Sequence, residues 1–214
     1  MLAIALLNNK KLELNKRTVS IDYGTDHCIL NLLVQSIFSD CKYSLLVERN
    51  IPVVEMVAAL HFITGSDDLS YLRGFSKDFC YKQFLQHSDI ICGTDAQICK
   101  QFLNGDVSAT ELVFRRLLVI LYLKKYGTCF SSDDATSLCA EALHDSTIQY
   151  ISEKTWYKTV VTNNQMLSPS AINLHCKRIA FVFNILSKAT DAELEKRDLN
   201  DNGWKVVIKG GKKK

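Results

Sequence analysis

The sequence has few residues that break regular structure and no extended apolar segment. Only 2 of its 214 residues are proline, Pro52 and Pro169, which argues against long unstructured linkers within the chain. The longest internal apolar run covers residues 117–123, and the apolar start at residues 1–7 has no basic residue before it. Both runs are shorter than a membrane span or a secretory signal requires. We therefore expect an intracellular protein, in the nucleus or the cytoplasm, without a membrane partner.

The 8 cysteines form no CxxC pair and no cysteine–histidine grouping with the spacing of a zinc finger. Several lie within apolar stretches that are predicted helices, for example Cys80 and Cys176. In a chain of this length we interpret them as reduced, buried thiols rather than as a disulfide framework. A serine or cysteine hydrolase is not supported, because the sequence has no Gly-x-Ser-x-Gly elbow and no cysteine in a catalytic context. No Walker loop or dinucleotide fingerprint occurs either.

The net charge of +3 is distributed unevenly along the chain. Residues 196–214 contain seven Lys or Arg and two Asp, a balance of +5, so the other 195 residues have a balance of −2. The body of the chain therefore has no broad basic surface of the kind that holds nucleic acid without specificity. Any phosphate site in the body must come from a local arrangement. The lysines at the end either steer the protein toward nucleic acid or keep a frayed terminus in solution.

The order of apolar residues predicts a helix-dominated protein with a short pair of strands near its start. Residues 2–7 form a continuous apolar run, and residues 19–23 alternate apolar and polar side chains, so both are predicted strands. Thereafter the signals are helical, and we expect about seven helices. Asp26 is the predicted cap of the first of these helices, with Ile29 on its apolar face.

A central helix is predicted by a cap signal and by the apolar run that follows it. Ser108 and Glu111 have the spacing of a capping box. Residues 117–123 are apolar on every side of the helix that would follow, which indicates a helix surrounded by the core. Ser168 and Pro169 have the order of an N-cap and a first helical residue, so they predict the start of the last long helix.

The most informative stretch is residues 61–77, which joins an apolar helix end to a second helix through two glycine turns. Asp67 lies at the mouth of the first turn, where a carboxylate is placed to hold a divalent cation. Gly74 begins the second turn, and the backbone N–H groups after it point along the helix that Ser76 is predicted to cap. Such N–H groups bind a phosphate, and Lys77 adds a local positive charge. Taken alone, each half is typical of an ordinary turn or helix start.

The order and spacing of these residues resemble a known signature. The sequence Thr64-Gly65-Ser66-Asp67, followed by Ser70 and then Gly74-Phe75-Ser76-Lys77, is similar to the Thr-Gly-Cys-Asp…Ser…Gly-x-Gly-Lys signature of PIN-like proteins associated with animal transposons. More distantly it resembles flap endonucleases, in which the aspartate binds metal and the glycine turn belongs to a helix-hairpin-helix on duplex phosphates. Further similarity lies in His61, in Ser168-Pro169 with residues 174–180, and in residues 202–205.

The resemblance has consequences for fold, site and ligand. It implies a partial PIN-like or flap-endonuclease-like α/β core over residues 1–127, a helical extension over 128–205 and a basic tail, expected to be disordered, over 206–214. It implies Asp67 as a catalytic residue, Asp67 and Asp68 as metal ligands, and Mg²⁺ or Mn²⁺ as the cofactor if the chain is active. It also implies nucleic acid as a partner, with contacts from Arg73, Gly74, Ser76 and Lys77.

The departures from the signature argue against activity. The acidic strands that such nucleases have upstream of the signature are missing, and residues 2–7 resemble the remainder of the central strand without its aspartates. Asp22 and Asp26 lie in a segment that nothing in the sequence places near Asp67, and Ser76 stands where the family has glycine. Two-metal cleavage needs several converging carboxylates. We therefore expect a truncated, catalytically inactive relative of a transposon-derived, metal-dependent nuclease that keeps some nucleic-acid binding.

Each candidate residue also has a structural interpretation. Asp67 is otherwise a turn residue, and Arg73 and Lys77 are otherwise part of a solvated helix start. His61 and His175 lie on apolar faces, where a histidine with a satisfied ring nitrogen usually belongs to the core. The alternative function is therefore a non-catalytic helical protein-interaction module, whose protein partners the sequence does not identify.

Overall fold

The computed structural model describes residues 19–23, 28–32, 46, 53–66, 69–72, 74–93, 96–127, 134–155, 168–187, 198–204, 208–209 and 212–213. This part of the chain is mainly helical, as the sequence predicts, and it contains eight α-helices where about seven were expected. They are α1 (Val53–Ile63), α2 (Lys77–Gln86), α3 (Ser88–Cys92), α4 (Ala96–Leu103), α5 (Val107–Lys125), α6 (Asp134–Ala140), α7 (Asp145–Thr155) and α8 (Pro169–Ser187). A short 3-10 helix, Asn200–Asn202, follows α8.

The segment at residues 19–23 pairs with residues for which the sequence predicts a helix. Strand β1 (Val19–Tyr23) pairs antiparallel with β2 (Cys28–Leu32), in the register Val19↔Leu32 to Tyr23↔Cys28. The helix predicted to begin at Asp26 is therefore wrong where it overlaps β2. The four residues between the strands are a hairpin-length connection, and pairing with an alternating strand so close in sequence outweighs a weak helical pattern. Residues 2–7 lie outside the described residues, so the strand predicted there stays a prediction.

Helix α5 is the centre of the hydrophobic core. Leu117 through Leu121 are each at most 1 % exposed, which confirms the buried helix predicted for this apolar run. The helix packs against α2, α3, α4, α6, α7 and α8. A helix with neighbours in all these directions must be apolar around its circumference, and the sequence supplies such a surface.

Helix α5 begins two residues earlier than the capping-box pattern predicts. The cap is Asp106, whose Oδ1 accepts a hydrogen bond of 2.8 Å from the Ala109 N–H. Ser108 lies exposed within the first turn, and Glu111 pairs with Arg115 at 2.8 Å instead of completing a capping box. Asp and Ser are equally good caps, so the position is decided by the turn at Gly105 that ends α4.

The other two predicted caps are confirmed. Ser76 Oγ accepts a hydrogen bond of 3.2 Å from the Phe79 N–H at the start of α2. Ser168 Oγ accepts one of 3.2 Å from the Ala171 N–H at the start of α8. Both caps depend only on residues within three positions, which is why the local sequence sufficed to locate them.

The C-terminal helix α8 joins the same core as the earlier helices. It contacts α5 and α1, and it buries Ile172, Cys176 and Ile179. The segment after it returns onto its surface, where Arg178 Nε donates a 2.7 Å hydrogen bond to the Gly203 carbonyl. The core therefore continues across residue 127, and the predicted division at that residue stays a prediction.

The end of the chain contains a short ladder. Strand β3 (Ile208–Lys209) pairs antiparallel with β4 (Lys212–Lys213). These four residues are the described part of the basic tail over 206–214, whose predicted disorder stays a prediction.

Five cysteines are free and buried, as the sequence predicts: Cys80, Cys92, Cys99, Cys139 and Cys176. Burial raises the pKa of the Cys80 thiol to about 11 and that of the Cys139 thiol to about 12, so both are protonated at neutral pH. A protonated thiol is a poor nucleophile and a poor metal ligand. No helix in the described ranges is long and apolar enough to cross a membrane.

Candidate nucleic-acid interface

The structure describes three of the six predicted site residues. Gly74, Ser76 and Lys77 are described, whereas Asp67, Asp68 and Arg73 lie outside the described residues. The catalytic and metal-binding assignments of the two aspartates therefore stay predictions. Within the described ranges no three His, Cys, Asp or Glu side chains lie together as a group for a metal ion.

The first glycine turn folds the chain back at the end of α1. Thr64 Oγ1 donates a 2.7 Å hydrogen bond to the Leu60 carbonyl, and Gly65 has φ +104°. Ser66 and Leu69 then exchange two backbone hydrogen bonds of 3.1 Å, which form an isolated antiparallel bridge. The backbone of Tyr71 packs closely against Gly65, so that a Cβ added at Gly65 would lie 2.5 Å from Tyr71 Cα. The bridge fixes the backbone on either side of positions 67 and 68.

The second glycine turn leads into α2. Gly74 has φ +85°, a conformation that favours glycine. Its carbonyl accepts a hydrogen bond from Lys125 Nζ, which comes from the last residue of α5. Ser76 stands where the similar signature has glycine, and its hydroxyl oxygen accepts a hydrogen bond from the Phe79 N–H. The substitution therefore uses one of the helix-start N–H groups that the resemblance assigns to phosphate.

Lys77 lies half-buried between a histidine and a tyrosine. Its Nζ is 3.3 Å from His61 Nδ1 and 5.4 Å from the centroid of the Tyr71 ring. An ammonium group only donates, so His61 Nδ1 is the acceptor in this contact. Tyr71 is 56 % exposed, so this aromatic face is open to solvent beside a positive charge.

Lys125 is a site residue that the sequence did not identify. Its Nζ lies 5.0 Å from the centroid of the Phe75 ring and 5.4 Å from that of Tyr126. In the sequence, Lys125 is explained by its position at a helix C-terminus, where a cation opposes the helix dipole. It lies 51 residues from Gly74, and only the packing of α2 on α5 brings the two together. No local motif indicates this contact.

An aromatic cluster forms around Phe75, the residue after Gly74 in the second glycine turn. Phe75 stacks on Phe79 with centroids 6.1 Å apart, and its ring meets Tyr122 edge-on at 5.2 Å. Burial raises the pKa of Tyr122 to about 12, with a smaller contribution from Tyr126. The Tyr122 hydroxyl is therefore neutral at physiological pH and does not offset the charge of Lys125.

We call the surface formed by Tyr71, Gly74, Phe75, Lys77 and Lys125 the basic turn. It combines two ammonium groups, the N-terminal end of a 10-residue helix and an exposed aromatic ring. Among the described residues of this stretch, Asp78 in the first turn of α2 is the carboxylate that opposes the two ammonium groups. This combination is suited to an anion that is attached to a planar ring.

Comparisons of this chain with protein-family models, with curated proteins and with solved structures gave no match. A functional assignment therefore rests on the residues of the basic turn and on the signature that contains them.

Proposed function

We propose that this chain is a catalytically inactive relative of a transposon-derived, metal-dependent PIN-like or flap-endonuclease-like nuclease, and that it binds nucleic acid at the basic turn. The observation that supports this proposal is that Lys125 Nζ donates to the Gly74 carbonyl in the glycine turn before α2, while Lys77 is the first residue of that helix. In flap endonucleases, the corresponding part of the signature meets duplex phosphates. We extend the proposal to the fold, as a partial PIN-like α/β core with a helical extension over 128–205.

The chemistry of the two lysines suits a phosphate. Each ammonium group has three N–H donors, and the hydrogen bond that each makes within the protein, to His61 or to Gly74, leaves donors for a ligand. Charge-assisted hydrogen bonds to phosphate oxygens are stronger than neutral ones. The dipole of α2 adds positive potential at the same place. A nucleic-acid ligand also agrees with the predicted location in the nucleus or the cytoplasm.

The test is the salt dependence of binding to fluorescent duplex and flap DNA, measured by anisotropy. Removing one lysine that neutralises a phosphate should reduce the slope of log K against log salt by about 1. We therefore expect Lys77→Ala and Lys125→Ala each to weaken binding and to flatten that slope, and the double variant to do both to a greater extent.

The matched control is Lys100→Ala, which removes an exposed lysine from α4 and should leave both the affinity and the slope unchanged. An equal weakening of binding in Lys100→Ala and Lys77→Ala would assign the binding to general charge rather than to the basic turn.

The second candidate is a non-catalytic helical protein-interaction module. It is favoured by two exposed side chains with large apolar surface, Tyr71 at 56 % and Leu174 at 43 % exposure. Exposed apolar residues that lie together are typical of protein-interaction sites. This candidate predicts no measurable nucleic-acid binding at any salt concentration by a folded protein.

A further inference from the structure

Ser76 is an exposed serine, and the sequence before it has a charge pattern that protein kinases recognise. Arg73 lies three residues before it, in Arg73-Gly74-Phe75-Ser76. Kinases select substrates partly by charge pattern, and one large class selects arginine three residues before the serine. The backbone of Ser76 is extended, with φ −72° and ψ 152°, and its side chain faces solvent. Exposure and an extended backbone leave the hydroxyl open to an enzyme.

The structure distinguishes Ser76 from the other serine that has an arginine at this spacing. The sequence repeats the pattern at Arg17 and Ser20. Ser20 lies inside β1, opposite Asn31, so its backbone belongs to a ladder of hydrogen bonds with the neighbouring strand. Ser76 stands before its helix, and its Oγ accepts a 3.2 Å hydrogen bond from the Phe79 N–H. That bond does not use the hydroxyl proton of Ser76, so we expect a kinase to reach Ser76 and not Ser20.

Two ammonium groups lie close to Ser76 along the chain. Lys77 is the next residue and the first of α2. Lys125 Nζ donates to the carbonyl of Gly74, two residues before Ser76. A phosphoserine has a charge of about −1.5 to −2 at pH 7 and three strong acceptor oxygens. Charge-assisted hydrogen bonds from ammonium groups to such oxygens are stronger than neutral ones. A phosphate attached at Ser76 therefore has cationic donors within the basic turn.

We propose that Ser76 is phosphorylated by an arginine-directed serine kinase, and that the attached phosphate closes the basic turn to nucleic acid. In the transfer, Ser76 Oγ attacks the γ-phosphorus of ATP, the bond from that phosphorus to the β–γ bridging oxygen breaks, and ADP leaves. The hydroxyl proton passes to a base of the kinase. The closing of the basic turn rests on the proposed function, whereas the phosphorylation itself does not.

The phosphate closes the site because it uses the donors that a nucleic acid would use. Lys77 and Lys125 each keep N–H donors beyond the one bond that they make to the protein. An anion tethered to the neighbouring backbone has a high effective concentration at these donors, so it displaces a phosphate from solution. The similar signature has glycine at the position of Ser76, and glycine has no hydroxyl to modify. This control therefore belongs to the present chain and not to the proteins that it resembles.

The first experiment measures phosphate transfer from ATP to the whole folded protein. The probe is a calmodulin-dependent protein kinase, which selects arginine three residues before the serine, and mass spectrometry identifies the modified residue. We expect Ser76 to be modified, and Arg73→Ala to slow this reaction about tenfold or more, the factor that hydrogen bonds to charged groups contribute to a rate. The matched control is Arg17→Ala, which removes the arginine of the other pattern and should leave the rate at Ser76 unchanged.

Three results of this experiment would overturn the proposal. They are the absence of phosphate at Ser76, modification of Ser20 in its place, and a rate at Ser76 that Arg73→Ala does not change. An isolated peptide of residues 70–80, treated in parallel, shows whether the sequence or the fold prevents the reaction. Modification of the peptide but not of the folded protein would mean that the turn before α2 excludes the kinase.

The second experiment compares Ser76→Asp with Ser76→Asn in binding to fluorescent duplex DNA. Both side chains cap a helix about as well as serine does, and they differ by one charge. We expect Ser76→Asp to bind more weakly than Ser76→Asn, with a slope of log K against log salt that is smaller by about 1. Phosphoserine introduced at position 76 should reduce the slope by about 2. The matched control is the pair Ser168→Asp and Ser168→Asn at the cap of α8, which should have equal slopes.

The two experiments separate failure of this proposal from failure of the proposed function. Equal slopes for Ser76→Asp and Ser76→Asn, in a protein whose DNA binding Lys77→Ala weakens, overturn the closing of the basic turn and keep the proposed function. A change of the same size between the two Ser168 variants would assign the effect to general charge and would also overturn it. Absence of all DNA binding overturns the proposed function together with the closing of the basic turn, and the kinase experiment still decides whether Ser76 is a phosphorylation site.

Discussion

At the scale of single residues, the two positive-φ glycines of residues 61–77 have different surroundings. A Cβ at Gly65 would lie 2.5 Å from Tyr71 Cα and 2.8 Å from the Ser70 carbonyl oxygen, so the backbone itself blocks a side chain. At Gly74 the nearest atom to an added Cβ is Lys125 Nζ at 3.6 Å, which is the end of a flexible side chain. Gly65 is therefore required by packing and by conformation, whereas Gly74 is required by conformation alone.

We expect Gly65→Ala to lower the free energy of unfolding by more than the strain of a left-handed residue alone, which is about 1–3 kcal/mol. The added clash is with backbone, which cannot move aside without displacing the bridge at Ser66 and Leu69. Gly127→Ala is the matched control, because an added Cβ there meets nothing within 4 Å. That variant should be neutral or more stable by up to about 1 kcal/mol. Urea unfolding measures both, and equal effects would contradict the assigned role of Gly65.

At the scale of elements, the start of the central helix depends on one carboxylate. Asp106 caps α5 through its contact with the Ala109 N–H, and its own carbonyl accepts hydrogen bonds from the Thr110 N–H and Thr110 Oγ1 at 2.9 and 2.7 Å. The first turn of α5 directly follows the short connection from α4. Because α5 contacts most of the other described helices, the position of its first residue matters for the packing of the core.

We expect Asp106→Ala to lower the free energy of unfolding by about 1 kcal/mol, the usual contribution of a side-chain N-cap. Ser108→Ala is the matched control at the position that the sequence pattern favours as the cap, and it should change stability by less than about 0.5 kcal/mol. Chemical denaturation of the two variants side by side gives the comparison. A larger destabilisation in Ser108→Ala would restore the capping-box interpretation.

At the scale of the whole molecule, the question is whether the chain has enough carboxylates in one place for phosphodiester cleavage. Two-metal hydrolysis needs several anionic oxygens to replace the water shell of Mg²⁺ or Mn²⁺. The signature offers Asp67 and Asp68, which are adjacent, so their side chains are expected to diverge on a turn.

We therefore expect no cleavage of flap, hairpin or single-stranded substrates by this chain in magnesium or manganese. The assay is product formation on labelled substrates with each metal and with a chelator. Metal-dependent cutting that Asp67→Ala abolishes, and that the exposed-carboxylate control Asp201→Ala retains, would prove the prediction wrong. Such a result would imply that Asp22, Asp26 or a second subunit completes the site.

The local parts of this structure were predictable, and the non-local contacts of the site were not. The caps at Ser76 and Ser168, the buried run at 117–123 and the buried cysteines follow from residues a few positions apart or from composition. The choice of Asp106 over Ser108 was not predictable, because two good caps lie close together and the preceding turn decides between them. The strand at Cys28–Leu32 was missed because a short apolar segment fits both the helical spacing of apolar residues and the alternation of a strand.

The sequence by itself determined a mainly helical protein, its central helix and the glycine-turn signature with Lys77 beside it. These features depend on periodicity, capping and residue type, which act over one or two helical turns. Only the tertiary structure decided that Lys125 reaches the Gly74 carbonyl, 51 residues away, and that His175 meets the Ile63 carbonyl, 112 residues away. Such contacts are set by how α2 and α8 pack on the helices around them. Packing depends on the shapes of whole helix faces, so no local pattern encodes the pairs that it brings together.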